Sequence, residues 1–360
     1  MGARPVAPST RLGALDALAS LPVRAFVAAM KDVAPDRAVR IGASLGRGVA
    51  RAGGYATEAA RVNLRIAFPD WSEARREAVL LDSYANLGRT AVEIALLQGR
   101  HREALLAGVE LTGLEHVEAA HARSKTGGFI VLTAHFGSWD LCGAALAAKY
   151  GYPLTVVQKG FGNPAISALL SRARGAGRAS EGALLEELQK GRSAAAGILR
   201  AIRDGRKVVV LMDQNAHPEE GVFAPFFSRL ACTRSAPVLI AMKRGVPILP
   251  VFPFRRGVEA RHEARALPPL IFENEIFENE VFDEQSPADA HLARNVAEMN
   301  RVIERVIVEA PDHWLWAHRR WRTRPVASED AAERRPVYSG GPRLMRTLRH
   351  RLRGMRSGRA

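Results

Sequence analysis

From residue 128 onward the chain alternates short β-rich runs with helical stretches, a pattern that points to an α/β fold in which helices cover a sheet. The runs are Phe129-Ile-Val-Leu-Thr, Leu154-Thr-Val-Val, Lys207-Val-Val-Val-Leu-Met and Ile248-Leu-Pro-Val-Phe. A central mixed sheet with covering helices is therefore expected. Ahead of it, residues 11 to about 110 read as helical. There Leu12, Leu15, Leu18 and Leu21 recur near helical spacing, and Pro22, Pro35, Gly53–Gly54 and Pro69 punctuate the region. The expected organisation is a helical N-terminal region over 1–110, the α/β domain over 111–325 and a basic tail over 326–360.

Two later segments add detail. Between Ile271 and Glu284 the run IFENEIFENEVFDE repeats every five residues, which fits neither the strand period nor the helix period, and it reads as a surface excursion with strand-like character, its acidic side chains forming a solvated face more readily than a binding site. From Ala290 to Ala310, Leu292, Val296, Met299, Ile303 and Val306 share one face, which predicts a last long helix.

An apolar fraction of 47% over 360 residues supplies a sizeable core and argues against a disordered chain. The formal net charge of +15 makes an anionic partner plausible: nucleic acid, an anionic membrane face or an acidic protein. Only Cys142 and Cys232 are present, so thiols build neither a disulfide framework nor a multi-cysteine zinc site, and a reducing, cytoplasmic-side location fits. The apolar stretch from Leu12 to Met30 is broken by Asp16 and Arg24, whereas a spanning helix needs roughly 20 mostly uncharged residues. The same charges split any signal-peptide core.

The segment that carries chemistry is Val131-Leu-Thr-Ala-His-Phe-Gly-Ser-Trp-Asp-Leu. An apolar strand runs straight into His135, and Gly137 and Ser138 punctuate the start of a helix near Trp139. His135 is thereby expected at a strand's C-terminal end, where open α/β sheets bind ligands. Asp140, on the first turn of the helix, can fold back toward the ring, and a carboxylate on one ring nitrogen fixes the tautomer that lets the other accept a proton. Taken in isolation, the H-x-x-x-x-D spacing reads more readily as a core histidine beside a helix-capping aspartate.

The run from Phe129 to Leu141 resembles the catalytic block of the glycerolipid and lipid A acyltransferases, in which a histidine precedes an acidic residue by five positions. Lipid A enzymes usually carry Glu at the acidic position, so Asp140 is a departure that leaves the substrate branch open. Further blocks agree with the lipid A branch in order and spacing: Asn63-Leu-Arg-Ile-Ala-Phe-Pro, Tyr84-Ala-Asn-Leu-Gly with Glu93, Asn163-Pro ahead of Arg174, Met212-Asp-Gln-Asn, and Gly221-Val-Phe-Ala-Pro-Phe-Phe. The most specific block is Ala310-Pro-Asp-His-Trp-Leu-Trp-Ala-His-Arg-Arg-Trp-Arg-Thr-Arg-Pro. The resemblance spans about residues 12 to 325 and implies a glycerol-3-phosphate acyltransferase-like fold.

It also implies roles. His135 and Asp140 form the catalytic pair, Arg174 is the family's active-site arginine with Arg172 as the competing register, and Asp213 takes the place of a functional aspartate. Without the resemblance, Asp213 could cap a helix after its strand, although its place at the end of a run of five apolar residues near the sheet edge of His135 favours a site role, and the arginines could be surface charges. The implied reaction moves an acyl chain from a thioester, on acyl carrier protein or coenzyme A, to a hydroxyl of a lipid A precursor. It needs neither metal nor cofactor, and it places the chain peripherally on the cytoplasmic face of the inner membrane. Arg174, Arg319 and Arg320 are candidates for holding the acceptor's phosphates or the acidic carrier, since arginine presents a planar fork to phosphate oxygens. Backbone amides around Gly137 are candidate oxyanion donors. Cys142 reads as a small buried thiol rather than a nucleophile. His217 and His318 read as polar residues rather than metal ligands.

Two alternatives stand beside this reading. Asp140 admits acylation of a lysophospholipid or a glycolipid mannoside instead. A basic nucleic-acid-binding protein would interleave aromatic and basic residues on a platform or carry a reader motif, and only the Trp314–Arg324 cluster approaches that.

The stretch from Arg343 to Arg359 carries seven arginines and no acidic residue, with Leu344, Leu348, Leu352 and Met355 on one stripe. This pattern predicts an interfacial helix on an anionic membrane, each basic residue adding on the order of 1 kcal/mol. In vesicle co-sedimentation, the full chain should bind anionic vesicles more tightly than a chain ending near Pro336, and high salt should narrow the gap. Equal binding of the two contradicts a tail anchor.

Overall fold

The structure is a computed structural model that describes residues 14–158, 160, 163–177, 182–189, 191, 194–272, 287–325 and 330–338. The expected tail helix over 343–359, and all of the five-residue repeat after Phe272, lie outside the described residues.

Five helices come first: α1 (Ala14–Met30), α2 (Pro35–Ala52), α3 (Tyr55–Ala67), α4 (Glu73–Leu96) and α5 (Arg102–Ala107). Ser72 caps α4, its hydroxyl accepting the Arg75 N–H at 3.2 Å. Helices α2 and α4 approach closely enough to exclude side chains. A Cβ on Gly46 would lie 1.9 Å from the Tyr84 carbonyl oxygen, and one on Gly88 would lie 2.0 Å from that of Gly42. Glycine is therefore the only residue that fits either contact without moving backbone. Among the described residues no helix is long and apolar enough to cross a membrane.

The remaining elements alternate in the expected way: β1 (Val109–Thr112), α6 (Leu114–Arg123), β2 (Phe129–Thr133), α7 (Trp139–Ala148), β3 (Leu154–Gln158), α8 (Pro164–Arg174), β4 (Leu185–Gln189), α9 (Ala194–Arg203), β5 (Lys207–Leu211), β6 (Gly221–Phe226), β7 (Arg229–Arg234), α10 (Ala236–Arg244), β8 (Ile248–Arg255), β9 (His262–Ala266), α11 (Pro287–Glu309) and α12 (Ala331–Arg334). Seven strands form one sheet in the order β1-β9-β8-β2-β5-β3-β4, and β6 pairs with β7 in a separate hairpin. The large sheet is mixed: β2 runs parallel to β5 and β8, whereas β9 is antiparallel to β8. Every residue of β2 is buried, as a central strand covered on both faces must be.

The four apolar runs singled out in the sequence are β2, β3, β5 and β8. Strands β1, β4, β6, β7 and β9 were not legible as such, and β4 and β9 show why. Their sequences, LEELQ and HEARA, are rich in charge because those side chains serve as partners. Glu186 accepts a hydrogen bond from Thr155 at 2.6 Å, and Glu263 accepts one from Thr112 at 2.7 Å.

Helix α4 is bolted to the sheet by a buried ion cluster. Arg255 Nη1 and Nη2 donate to Glu93 at 2.6 and 2.9 Å, and His262 Nε2 lies 3.0 Å from Glu93 Oε1. Burial works to raise the Glu93 pKa, but His262 and Arg255 outweigh it and hold the carboxyl well below the usual carboxylate range. Removing Glu93 leaves the Arg255 guanidinium and the His262 ring buried without their shared carboxylate. Glu93→Ala is expected to cost about 3–5 kcal/mol in urea unfolding. A loss under about 1 kcal/mol contradicts the role assigned to this cluster.

Candidate active site

The register of the sheet brings two loops abreast. Thr133 at the end of β2 pairs with Leu211 at the end of β5, so the residues two places beyond each strand, His135 and Asp213, emerge side by side at the carboxyl edge. His135 Nδ1 lies 2.9 Å from Asp213 Oδ1, and the His135 backbone N–H donates to Asp213 Oδ2 at 3.0 Å. Trp314 Nε1 donates to the same Oδ2 at 2.8 Å. Asp213 is 2% exposed, yet its pKa falls to about 2. Burial alone would raise it, and the interaction with the His135 ring and these hydrogen bonds reverse the balance. An ionised carboxylate at Nδ1 makes Nδ1 the protonated nitrogen of the ring and leaves a lone pair on Nε2. The amide nitrogen of Gln214 stands 3.2 Å from Nε2, an arrangement that fits a donor meeting that lone pair. The His135 side chain remains 20% exposed, so the ring is reachable from solvent.

The loop that carries His135 is held from the other side by the C-terminal segment. Leu315 N–H donates to the His135 carbonyl at 2.9 Å, and Gly137 N–H donates to the His313 carbonyl at 2.8 Å. Gly137 has a φ of 55°, and a Cβ there would meet the Pro253 carbonyl oxygen at 2.0 Å, so this turn admits glycine alone. The Gly137 amide, which the sequence offers as a candidate oxyanion donor, is thus already engaged by a backbone carbonyl.

A second charged unit lies on the β3–β4 side. Asp140, in the first turn of α7, accepts from Arg174 Nε at 2.6 Å, and Arg174 Nη1 donates to Gln158 and Glu187, both at 2.7 Å. The structure brings Arg174, at the last turn of α8, to Asp140, while Arg172 is exposed on the same helix. Arg174 is therefore committed to two carboxylates. Arg320 is wholly buried, its Nη1 donating to the carbonyls of Gln214 at 3.2 Å and Cys232 at 2.9 Å and its Nη2 to Thr233 Oγ1 at 2.5 Å. Burial lowers its pKa to about 10. It ties the β6–β7 hairpin to the loop after β5. Arg319 lies over the rings of Tyr338 and Tyr55, 4.6 and 5.1 Å from their centroids.

The remaining candidates have structural partners. Cys142 is buried, and burial, with Glu93 adding to it, pushes its thiol far up, away from the thiolate a nucleophile needs. His217 is exposed at the start of a 3-10 turn. His318 Nε2 accepts the Asn215 N–H at 2.9 Å. Among the described residues no three His, Cys, Asp or Glu side chains form a group that could hold a metal ion. Sequence reasoning assigned no role to Trp314, Gln214 or Asn63. All three lie within quoted motifs, and Asn63 donates to the Trp316 and His318 carbonyls at 2.7 and 2.6 Å. Contacts between residues so far apart along the chain leave no local signal.

Comparison with known proteins matches residues 14–323 to the bacterial lipid A biosynthesis acyltransferase family model. Among similar proteins from Escherichia coli, a lipid A biosynthesis lauroyltransferase is 25% identical over 289 residues, covering 79% of this chain and 85% of the relative. A lipid A biosynthesis palmitoleoyltransferase is 27% identical over 269 residues, 74% of this chain and 79% of the relative. A lipid A biosynthesis myristoyltransferase is 27% identical over 299 residues, 82% and 84% of the two chains.

Burial first, then repulsion from nearby cations, lowers the His318 pKa from 6.5 to about 4 against the pull of Asp213. The unfolded chain therefore takes up a proton before the folded one as the pH falls. The stability this neutral ring contributes is complete above about 6.5 and is lost as the pH falls through about 4, a change of up to about 3 kcal/mol. His318→Gln, which keeps an acceptor for the Asn215 N–H, should flatten the unfolding free energy between pH 6.5 and 4. An unchanged slope contradicts this titration.

Proposed function

Because this chain belongs to the bacterial lipid A biosynthesis acyltransferase family, we propose that it moves a fatty acyl chain from an acyl thioester to a hydroxyl of a lipid A precursor, with His135 as general base. The observation that carries the mechanism is the Asp213 carboxylate on His135 Nδ1. It holds the tautomer whose Nε2 can accept a proton, and it stabilises the imidazolium formed when that proton arrives. The acceptor hydroxyl displaces the Gln214 amide from Nε2. Its oxygen attacks the thioester carbonyl carbon as its proton passes to Nε2. The tetrahedral intermediate then collapses with cleavage of the carbon–sulfur bond, and the departing thiolate takes the proton from the ring. Atoms and charge balance with no further reactant.

Asp140 and Arg174 form the second unit of the site. The pair fixes the start of α7 against the end of α8, just past the His135 loop, and so sets the wall on the β3 side of the base. Acyl carrier protein, an acidic donor, suits a chain of net charge +15, with acyl-coenzyme A as the alternative. The acceptor is an anionic glycolipid, and the enzyme works peripherally at the cytoplasmic face of the inner membrane. No nucleic acid enters this reading.

His135→Ala should lower kcat about a hundred- to ten-thousand-fold in folded protein, the usual cost of losing a general base. Retention of more than about a tenth of turnover contradicts the assignment. Asp213→Asn and Asp140→Asn should each lower kcat, but only Asp213→Asn should displace the acid limb of the pH–rate profile, since its carboxylate is the one on the imidazole. Displacement by Asp140→Asn alone would instead make Asp140 the orienting group.

A further inference from the structure

Arg89 stands on α4 between two residues that are tied to the loops of the candidate site. Asn86 Nδ2 donates to Asp312 Oδ2 at 2.8 Å and to its carbonyl at 2.9 Å, and the Thr90 hydroxyl donates to the Gly137 carbonyl at 3.2 Å. One turn further on, Glu93 holds Arg255 at the end of β8. Helix α4 therefore lies across the carboxyl edge of β2 and β8, the edge from which His135 emerges.

The surroundings of Arg89 leave its charge uncompensated. Its Nη1 donates to the neutral Asn86 Oδ1 at 2.6 Å, and its Nε is buried without a hydrogen-bond partner. Among the described residues no carboxylate forms an ion pair with it. The two acids whose charge acts on it are committed elsewhere, Asp82 to Arg47 at 2.8 Å and Glu93 to Arg255 at 2.6 Å. Three guanidinium groups thus share two carboxylates. Burial, and then repulsion from Arg255 and Arg47, makes the Arg89 charge harder to hold. A half-buried cation without a counter-ion costs free energy that an incoming anion would recover, and the planar fork of arginine suits phosphate oxygens. Two other arginines near the site differ from it: Arg174 is paired with two carboxylates, and Arg320, although its Nε is also unpartnered, is wholly buried with Nη1 and Nη2 on backbone carbonyls and Thr233.

We propose that Arg89 anchors a phosphate subsite at this edge of the sheet, taking a phosphate ester of the acceptor and thereby setting where the acceptor's hydroxyl lies relative to His135. The subsite rests on the acyl-transfer reading for its substrate. Phosphate esters also occur on the donor's pantetheine arm, and the two sources separate kinetically. With a bis-phosphorylated lipid A precursor as acceptor, Arg89→Gln should raise the acceptor KM at least tenfold, leave the donor KM unchanged and abolish the preference over the same acceptor stripped of phosphate by a phosphatase. Arg89→Lys, which keeps the charge without the fork, should fall between. An unchanged preference in Arg89→Gln overturns the proposal, and a rise in donor KM alone overturns the acceptor as the source of the phosphate. Titration of the full-length protein with inorganic pyrophosphate separates the subsite from the reaction. Binding by the parent that weakens at least fivefold in both variants, with unfolding midpoints within a few degrees of the parent, supports the subsite even if no acyl transfer is found. Equal pyrophosphate binding by parent and variants overturns it.

Discussion

A buried carboxylate with three donors organises this molecule. Asp213 receives the backbone N–H and ring Nδ1 of His135 and the indole N–H of Trp314, and each donor comes from a segment remote in sequence from β5. The parallel pairing of β2 and β5 places His135 and Asp213 opposite one another, so the site is a consequence of sheet register. A one-residue slip of either strand would turn its side chain away from the other's. Charge-assisted hydrogen bonds in a water-poor setting are strong, and the same setting makes an unpaired carboxylate costly, so the pair specifies its own geometry.

The C-terminal segment from Pro311 to Arg324 distributes that constraint through the protein. It meets the His135 loop through the Gly137 and Leu315 amides, and α3 through Asn63. It meets α4 through Asn86 and Asp312, and the loop after β5 through Asn215, which exchanges hydrogen bonds with Thr323 at 2.9 Å in both directions. Trp314, Trp316 and Trp321 are buried beneath this network and supply the apolar area that holds the segment down. The helical N-terminal region and the sheet thus share one polar seam, and the seam runs past His135.

The central strands and the histidine are legible in the sequence because their signals are local. Phe129–Thr133 is an uninterrupted apolar run, and a histidine at its end faces the ligand-binding edge of any open α/β sheet. Strands β4 and β9 were hidden because Glu186, Glu187 and Glu263 spend their charge on partners that only the folded chain supplies. The resemblance of Phe129–Leu141 to the acyltransferase catalytic block suggested Asp140 for the imidazole. The fold sets Asp213 on Nδ1 and sets Arg174 on Asp140, two pairings separated by 78 and 34 residues respectively. Likewise the arginines of the C-terminal block look like free cations in the sequence, whereas Arg320 is enclosed by carbonyls and Arg319 by tyrosine rings.

The most direct test is the protonation pattern of the His135 ring, read by nitrogen-15 NMR of labelled imidazoles at neutral pH with His135→Gln to assign the signal. The pairing with Asp213 predicts a protonated Nδ1 and an unprotonated Nε2, with the pattern lost in Asp213→Asn and kept in Asp140→Asn. A ring protonated at Nε2 in the parent protein, or one indifferent to Asp213, would contradict it.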